Sequence, residues 1–305
     1  MTKKIIIYSF LGLVLVGAII SLVDYKHQLN NQPAVSDDNV LQVVAAENFW
    51  GSLVSQIGGS HVNITSVVSD PNADPHEYSS NAANARAFAT ADYVIINGLG
   101  YDSWANKLLS ANFNSKQKIL NVGDLVGKKE GDNPHLWYSP DYVNQTAAQM
   151  EKDLISLDPR HRSDYEHNYK NLRVSLLQYQ NRINDIKQKF GGTKVAATED
   201  IFVYLAEATG LDLISPPAFI QAVAEGNDPS VSSVIEFENQ LTSREPKVLI
   251  YNKQTVTPLT ENMNKLAFDN KIPSVGITET IQPPNISFQA WMGSELLALE
   301  NALNR

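Results

Sequence analysis

Two histidines and two glutamates of metal-ligating type stand just after predicted strands or in loops that leave them: His76, His135, Glu199 and Glu279. In open α/β sheets, ligands bind at the carboxyl ends of the strands, so side chains at these ends are the first candidates for binding chemistry. Imidazole and carboxylate together suit Mn²⁺, Fe²⁺ and Zn²⁺. The four side chains therefore predict a transition-metal site drawn from separate parts of the chain.

Each of these residues also has a structural interpretation that needs no ligand. A histidine in a polar loop is often only solvated, and Glu199 is placed to cap the helix that follows its strand. No pair among the four has helical i, i+4 spacing, so a local motif such as H-E-x-x-H is absent. Spacing alone is consequently a weak signal, although Pro75 and Pro134 stiffen the two histidine loops.

The composition excludes several classes of function. The chain has 305 residues, of which 43% are hydrophobic and 19% charged, as in ordinary globular domains, and its net charge is −9. Such an acidic chain is not expected to bind nucleic acid. It has no cysteine, which rules out disulfides, thiolate ligands and a lipid-attachment cysteine. No G-x-x-x-x-G-K-[ST] pattern occurs, so ATP-driven transport would need a separate ATPase.

The first 23 residues predict a membrane anchor. Residues 1–4 include two lysines, and residues 5–23 carry no charge. This apolar segment exceeds the roughly 7–15 residues of a secretory signal and approaches the about 20 residues of a spanning helix. The basic start places the N-terminus inside and the remaining chain on the extracytoplasmic face of the cell membrane, with residues 24–40 as a tether. If the segment is instead a cleaved signal, the protein is secreted.

Alternating strands and helices must position the candidate residues. Residues 41–160 predict a first lobe, with helices between strands at 41–46, 62–68, 92–97 and 118–122. Residues 193–305 predict a second lobe, with helices between strands at 194–198, 211–214, 248–251 and 274–277. Such alternation is typical of α/β folds, so each lobe is expected to be a mostly parallel sheet flanked by helices.

One long helix is predicted to join the two lobes over residues 161–192. Apolar residues recur there at steps of three and four, the period of a helix, at Tyr165, Tyr169, Leu172, Leu176, Tyr179, Ile183, Ile186 and Phe190. Gly191 and Gly192 end the pattern, as glycine commonly ends helices. A single connecting helix favours a small tilt between the lobes over a wide hinge.

Five ordered segments give the chain a resemblance to a known family. They are 74–78 (DPHEY), 97–101 (NGLGY), 133–137 (NPHLW), 199–204 (EDIFVY) and 277–279 (ITE). With the long helix in the expected place, the chain from about Val43 to its end resembles the solute-binding proteins of metal-specific ABC importers, which include zinc and manganese binders. Five motifs in order are far more specific than any one of them.

The resemblance implies a role for each candidate residue. His76 and His135 match the two histidine ligands of the first lobe. Glu199 matches the third ligand, which is histidine in typical zinc members and glutamate in manganese-type members, and Asp200 is the substitute if Glu199 points away. Glu279 matches the fourth ligand, which is commonly aspartate in the family.

The resemblance also implies extracytoplasmic capture of a divalent transition-metal ion and its delivery to an ABC permease and the associated ATPase. The expected cargo is Mn²⁺ before Zn²⁺, because two bidentate carboxylates and two imidazoles supply up to six donor atoms, whereas structural zinc sites are usually tetrahedral. Residues 110–132 also lack the histidine-rich loop that zinc members often carry. No catalysis is expected, and the protein is expected to be a monomer.

Other classes of protein remain open at this point. A metallo-enzyme could use the same site, but four protein ligands leave little room for a substrate. A surface adhesin fits the anchor and tether. A binder of a non-metal solute could line its pocket with Trp104 and Trp137, although core packing is the simpler explanation for both. The remaining histidines, His27, His61, His161 and His167, are interpreted as solvated residues without ligand geometry.

Overall fold

Two parallel sheets of four strands each form the framework of the computed structural model, which describes residues 40–70, 78–112 and 114–305. The first sheet contains β1 (Leu41–Glu47), β2 (Val62–Val68), β3 (Tyr93–Ile96) and β4 (Lys118–Asn121), in the order β2-β1-β3-β4. The second contains β5 (Lys194–Ala197), β6 (Asp212–Leu213), β7 (Leu249–Asn252) and β8 (Ser274–Ile277), in the order β6-β5-β7-β8. The predicted α/β plan is confirmed.

Helices connect the strands in both lobes. In the first lobe they are α1 (Asn48–Gly58), α2 (Ala82–Thr90), α3 (Ser103–Ala111), α4 (Val122–Leu125) and α5 (Pro140–Leu157). After α6 (Arg162–Phe190), the second lobe contains α7 (Val203–Thr209), α8 (Pro217–Ala224), α9 (Val231–Thr242), α10 (Pro258–Asp269) and α11 (Phe288–Leu303). Their starts follow local chemistry, since the Ser139 side chain caps α5 and a Thr257–Thr260 capping box begins α10.

The central strand of the first sheet, β1, is almost entirely buried. β1 lies between β2 and β3, with Val43 opposite Ile64 on one side and Tyr93 on the other. Six of its seven residues are buried, as expected for a central parallel strand that is covered on both faces. All the pairings in this sheet are parallel, so the carboxyl ends of its strands share one edge.

The long helix α6 lies in the body of the molecule. It has 29 residues and a buried stripe that includes Tyr165, Leu172, Tyr179 and Ile186. It packs against helices of both lobes, namely α1 and α5 of the first lobe and α7 and α11 of the second. The helix predicted from apolar periodicity is therefore present, and it links the lobes by packing as well as by covalent connection.

One large hydrophobic cluster runs through both lobes. It includes Phe49 and Trp137 from the first lobe, Tyr179 from α6, and Ile201 and Trp291 from the second lobe. Smaller clusters lie on the outer side of each sheet. Leu41–Arg305 accordingly forms a single unit by its internal contacts.

Several local predictions differ from the structure. The strand predicted at 211–214 is reduced to the two residues of β6. The helix predicted from 200 begins as a 3₁₀ turn, Asp200–Phe202, and continues as α7. Helix α8 was not predicted, although Pro217 at its first turn is a helix-start signal. Trp104 and Trp137 are both buried, which confirms core packing for these side chains.

No helix among the described residues is long and apolar enough to cross a membrane. The predicted anchor at 5–23 and most of the tether at 24–40 lie outside the described residues.

Candidate metal centre

His135 is fixed from the side of its Nδ1 atom. It is fully buried and immediately precedes the 3₁₀ turn Leu136–Tyr138. The Asn133 side-chain oxygen accepts a hydrogen bond from the His135 backbone N–H at 2.9 Å and also lies 2.9 Å from Nδ1. On the same side, Asp200 Oδ1 from the second lobe is 3.2 Å from Nδ1.

These contacts decide which ring nitrogen of His135 can serve as a ligand. Both neighbours of Nδ1 are acceptors, so the neutral imidazole places its proton on Nδ1. Nε2 then carries the lone pair, and it lies 3.9 Å from Glu279 Oε2. A metal-binding histidine characteristically donates its other N–H to an oxygen acceptor in this way.

Glu279 lies at the carboxyl end of β8 and is fully buried. Asn252 Nδ2 donates to Oε1 at 2.6 Å, and the Tyr101 hydroxyl donates to Oε2 at 2.7 Å. The backbone N–H of Glu279 donates to Gln254 Oε1 at 2.7 Å. The carboxylate is thus aimed by both lobes at the point where it meets His135.

Tyr101 reaches Glu279 because a tight turn follows β3. Gly98, Leu99 and Gly100 have φ angles of 81°, 58° and 84°, a left-handed conformation that favours glycine and is uncommon for leucine. Asp102 accepts hydrogen bonds from the backbone N–H groups of Asn97, at 2.6 Å, and Gly98, at 2.9 Å. These bonds hold the turn that presents the tyrosine.

Glu199 occupies the carboxyl end of β5 and is 2% exposed. It precedes the 3₁₀ turn Asp200–Phe202, but its side chain makes no capping hydrogen bond, so the capping interpretation is wrong. The neighbouring Asp200 contacts Nδ1 of His135, on the side of the ring that faces away from Glu279. This position suits Asp200 for orienting His135 better than for replacing Glu199 as a ligand.

His76 lies outside the described residues, within 71–77, and its role stays a prediction. Of the other three predicted ligands, the structure brings His135 and Glu279 together and buries Glu199 at the carboxyl end of β5, which β7 separates from β8. No group of three or more His, Asp or Glu side chains with metal-binding geometry occurs in the part of the chain that the structure describes.

Aromatic rings pack around His135. The Trp137 ring stacks on Phe49 at 4.1 Å and meets the His135 ring edge-on at 5.2 Å. Tyr101 contacts the same tryptophan at 5.2 Å. The sequence predicted that Trp137 packs in the core, but it did not predict that the Trp137 ring packs against the His135 ring.

A cleft of about 570 Å³ opens beside the centre. Tyr101, Asn133 and His135 line it from the first lobe, and Asp200 and Ile220 line it from the second. The buried centre therefore adjoins a cleft that residues of both lobes line.

Two buried carboxyl groups lie behind the Tyr101 turn. Burial raises the pKa of Asp102 to about 6, with its backbone hydrogen bonds acting in the opposite direction. Burial, followed by the charge of Asp102, holds the pKa of Glu47 well above its usual range. At least one proton is therefore retained by this pair under mildly acidic conditions.

A pH dependence of stability follows from the raised pKa values. At this pair the folded protein binds protons that the unfolded chain releases, so the stability that the pair contributes is fully present below the unfolded pKa values, near 4, and is lost as the pH rises through about 6. We expect Glu47→Gln to make this fall shallower, because glutamine does not titrate. Urea unfolding between pH 5 and 8 measures it, with the exposed Glu130→Gln as control. Equal slopes in wild type and Glu47→Gln would contradict the assignment.

The other described histidines are not among the residues that line the cleft. His61 and His161 stack at 3.8 Å, and each pairs with an aspartate, Asp164 and Asp158 respectively. The sequence did not predict this pair. His167 contacts Asn171 on the exposed side of α6.

Solved structures of similar proteins share the two-lobed fold. The periplasmic zinc-binding protein TroA from Treponema pallidum has a TM-score of 0.74 at 15% identity, covering 87% of this chain and 99% of that one. A Mn-bound periplasmic metal-binding protein from candidatus liberibacter asiaticus has a TM-score of 0.67 at 23% identity, covering 86% and 98%. This likeness shows that the chain has the fold of these periplasmic metal-binding proteins.

Comparison of the sequence with known protein families assigns the chain to one of them. The profile described as ZnuA, zinc-uptake complex component A periplasmic, matches residues 43–302, and the chain belongs to this family. Among curated relatives, the metal ABC transporter substrate-binding lipoprotein SsaB of Streptococcus sanguinis is 27% identical over 249 residues, covering 75% of this chain and 77% of that protein. The manganese-binding lipoprotein MntA of Halalkalibacterium halodurans is 23% identical, covering 67% and 69%.

These findings fix the coarse function. The chain is an extracytoplasmic substrate-binding component of a metal ABC transporter. The relatives are binding proteins rather than enzymes, which fits the expectation that this chain performs no catalysis. Neither the adhesin nor the metallo-enzyme alternative gains support from them.

Proposed function

We propose that this chain captures Mn²⁺, and less readily Zn²⁺, between its two lobes and passes the ion to an ABC permease driven by a separate ATPase. The observation that carries the proposal is the meeting of His135 Nε2 and Glu279 Oε2, 3.9 Å apart and buried, one from each lobe. Their outer contacts to Asn133, Asp200 and Tyr101 are of the kind that fix metal ligands in place.

The ligand set we propose is His76, His135, Glu199 and Glu279. Two imidazole nitrogens and two carboxylates offer up to six donor atoms, and oxygen-rich sets of high coordination number suit Mn²⁺. The Irving–Williams order still favours Zn²⁺ at such a site in solution, so the preference concerns geometry and availability rather than absolute affinity.

The arrangement of the whole protein follows from this role. We propose lobes at 41–160 and 193–305 joined through 161–192, with 1–23 as a membrane anchor and 24–40 as a tether. A monomer is sufficient, because the proposed ligands all come from one chain. Release requires the permease to displace the second lobe, since the shared core resists wide opening.

Elemental analysis tests the function directly. Protein purified without added metal, then dialysed against equal amounts of Mn²⁺ and Zn²⁺, is expected to hold about one ion per chain. The matched control is the quadruple variant His76→Ala, His135→Ala, Glu199→Ala and Glu279→Ala, which should hold none. Equal metal content in both proteins would refute the site, and no metal in either would refute metal capture by this chain.

The residue at position 199 is expected to tune the choice of metal. Glu199→His replaces a carboxylate that can supply two oxygens by a single nitrogen, which lowers the attainable coordination number and favours tetrahedral zinc. We expect the ratio of Zn²⁺ to Mn²⁺ affinity to rise on the order of 10-fold or more, since even the loss of a residue that only supports a ligand commonly costs 10–100-fold in metal affinity. Competition titration measures the ratio, with Glu207→His on α7 as control. An unchanged ratio would remove Glu199 from the ligand set.

A further inference from the structure

Glu295 on α11 is a buried carboxyl group that the proposed ligand set does not use. It is 8% exposed. Its Oε1 atom accepts hydrogen bonds from the Thr278 backbone N–H at 3.0 Å, the Thr278 hydroxyl at 3.2 Å and Trp291 Nε1 at 3.0 Å. Its Oε2 atom lies 2.7 Å from the Tyr138 hydroxyl oxygen.

The partners of Glu295 stand next to proposed ligands in both lobes. Thr278 directly precedes Glu279, and Tyr138 ends the 3₁₀ turn that begins after His135. The Tyr138 hydroxyl also lies 2.8 Å from the Thr278 carbonyl oxygen, so the two ligand-bearing segments touch at this point. Glu295 therefore buttresses the contact between them.

Counting protons shows which form of Glu295 completes the network. The Tyr138 hydroxyl has one proton but stands within hydrogen-bond distance of two oxygens, Thr278 O and Glu295 Oε2. If Glu295 is ionised, both oxygens are acceptors and only one can be served. If Glu295 is protonated on Oε2, it donates to Tyr138, which then donates to Thr278 O, and both of these oxygens as well as the Tyr138 hydroxyl have a partner.

We propose that Glu295 is a positioning residue for the metal centre, whose carboxylic acid proton completes the Tyr138–Thr278 contact and so holds the ligand-bearing segments of the two lobes in register. This inference rests on the proposed function, because it takes His135 and Glu279 as ligands.

The electrostatic surroundings agree with the proton count. Burial raises the pKa of Glu295 to about 7, against the opposing effect of hydrogen bonds from Tyr138, Thr278 and Trp291. Tyr179 faces it from α6, and burial raises the pKa of that phenol, so it stays neutral. Tyr138, from the 3₁₀ turn, is likewise kept neutral by burial, which raises its pKa.

No cation among the described residues balances this carboxyl. Helix α1, which also packs on α11, contains no titratable residue. Arg182 and Lys189 on α6 pair with Glu300, further along α11. Glu295 therefore holds its proton up to about pH 7 and loses it at higher pH.

Metal affinity should consequently fall as the pH rises above about 7. Mn²⁺ titrations from pH 6 to 8.5, without oxygen, compare wild type with Glu295→Gln and Glu295→Ala. We expect the wild-type affinity to fall severalfold between pH 7 and 8.5. In Glu295→Gln that fall should vanish, because the amide can donate to Tyr138 and accept from Thr278 at every pH. Glu295→Ala should bind about 10–100-fold more weakly than wild type.

Glu300→Gln is the matched control, since it removes a carboxylate from the same helix away from both ligand segments. It should keep the wild-type pH profile. An alkaline fall of equal size in wild type and Glu295→Gln, or its absence from wild type, would overturn the inference.

Thermal unfolding of chelator-treated protein separates this inference from the proposed function. Between pH 6 and 8 the melting temperature of wild type should drop further than that of Glu295→Gln, because the folded state loses a proton that the unfolded chain has already released. Equal drops would overturn the inference even if neither protein bound metal. A wild type that binds no ion at any pH would instead refute the proposed function.

Discussion

Replacing His135 by alanine is expected to lower the affinity for Mn²⁺ on the order of 1,000-fold, because loss of outer contacts alone commonly costs 10–100-fold. The imidazole is buried, oriented through Nδ1 and directed at Glu279 through Nε2. Removing it takes away one of the two imidazole nitrogens in the proposed ligand set. Isothermal titration with Mn²⁺ and Zn²⁺ measures the loss.

Two further variants make this result specific to the site. His61→Ala removes a histidine that stacks on His161 and does not line the cleft, and this variant should bind metal like wild type. Asn133→Ala leaves the imidazole in place but removes an acceptor at Nδ1, and it should lose about 10–100-fold. If His135→Ala bound no more weakly than His61→Ala, the proposed ligand set would be wrong.

Replacing Trp137 by alanine is expected to cost about 3–5 kcal/mol of unfolding free energy, the usual range for a buried tryptophan. This side chain is fully buried and stacks on Phe49. It also supports the ring of His135, so metal affinity should fall together with stability. Chemical denaturation and metal titration of the same protein measure both effects.

The control for Trp137 is an aromatic residue outside the core. Phe268 is 73% exposed, and Phe268→Ala should change stability by no more than about 0.5 kcal/mol. A loss below about 1 kcal/mol in Trp137→Ala would show that this part of the core repacks readily, contrary to the contacts described.

The sequence predicted the framework because its signals are local. Runs such as 41–46 and the apolar period of residues 165–190 follow from burial on parallel strands and from one buried helical face. Strand ends then identified the neighbourhood of Glu199 and Glu279. Helix α8 escaped because residues 217–224 are short and largely apolar, and such a segment can be either strand or helix.

The supporting contacts of the centre could not be predicted in the same way. Tyr101 meets Glu279 across 178 residues of chain, and Tyr138 meets Glu295 across 157. Nothing local to Tyr101 distinguishes it from a core tyrosine except the glycine-rich turn before it. Glu295 lies within an amphipathic helix, where a surface glutamate would be the ordinary expectation.

The hydrophobic cluster shared by the two lobes also links metal binding to the stability of the whole unit. Because Leu41–Arg305 is one unit with one principal core, any ion held between the lobes stabilises the entire unit, by an amount that grows with ion concentration relative to its dissociation constant. Loaded protein is then the form that unfolds least often and resists proteolysis best. Scarcity of the metal would shorten the lifetime of the very protein that collects it.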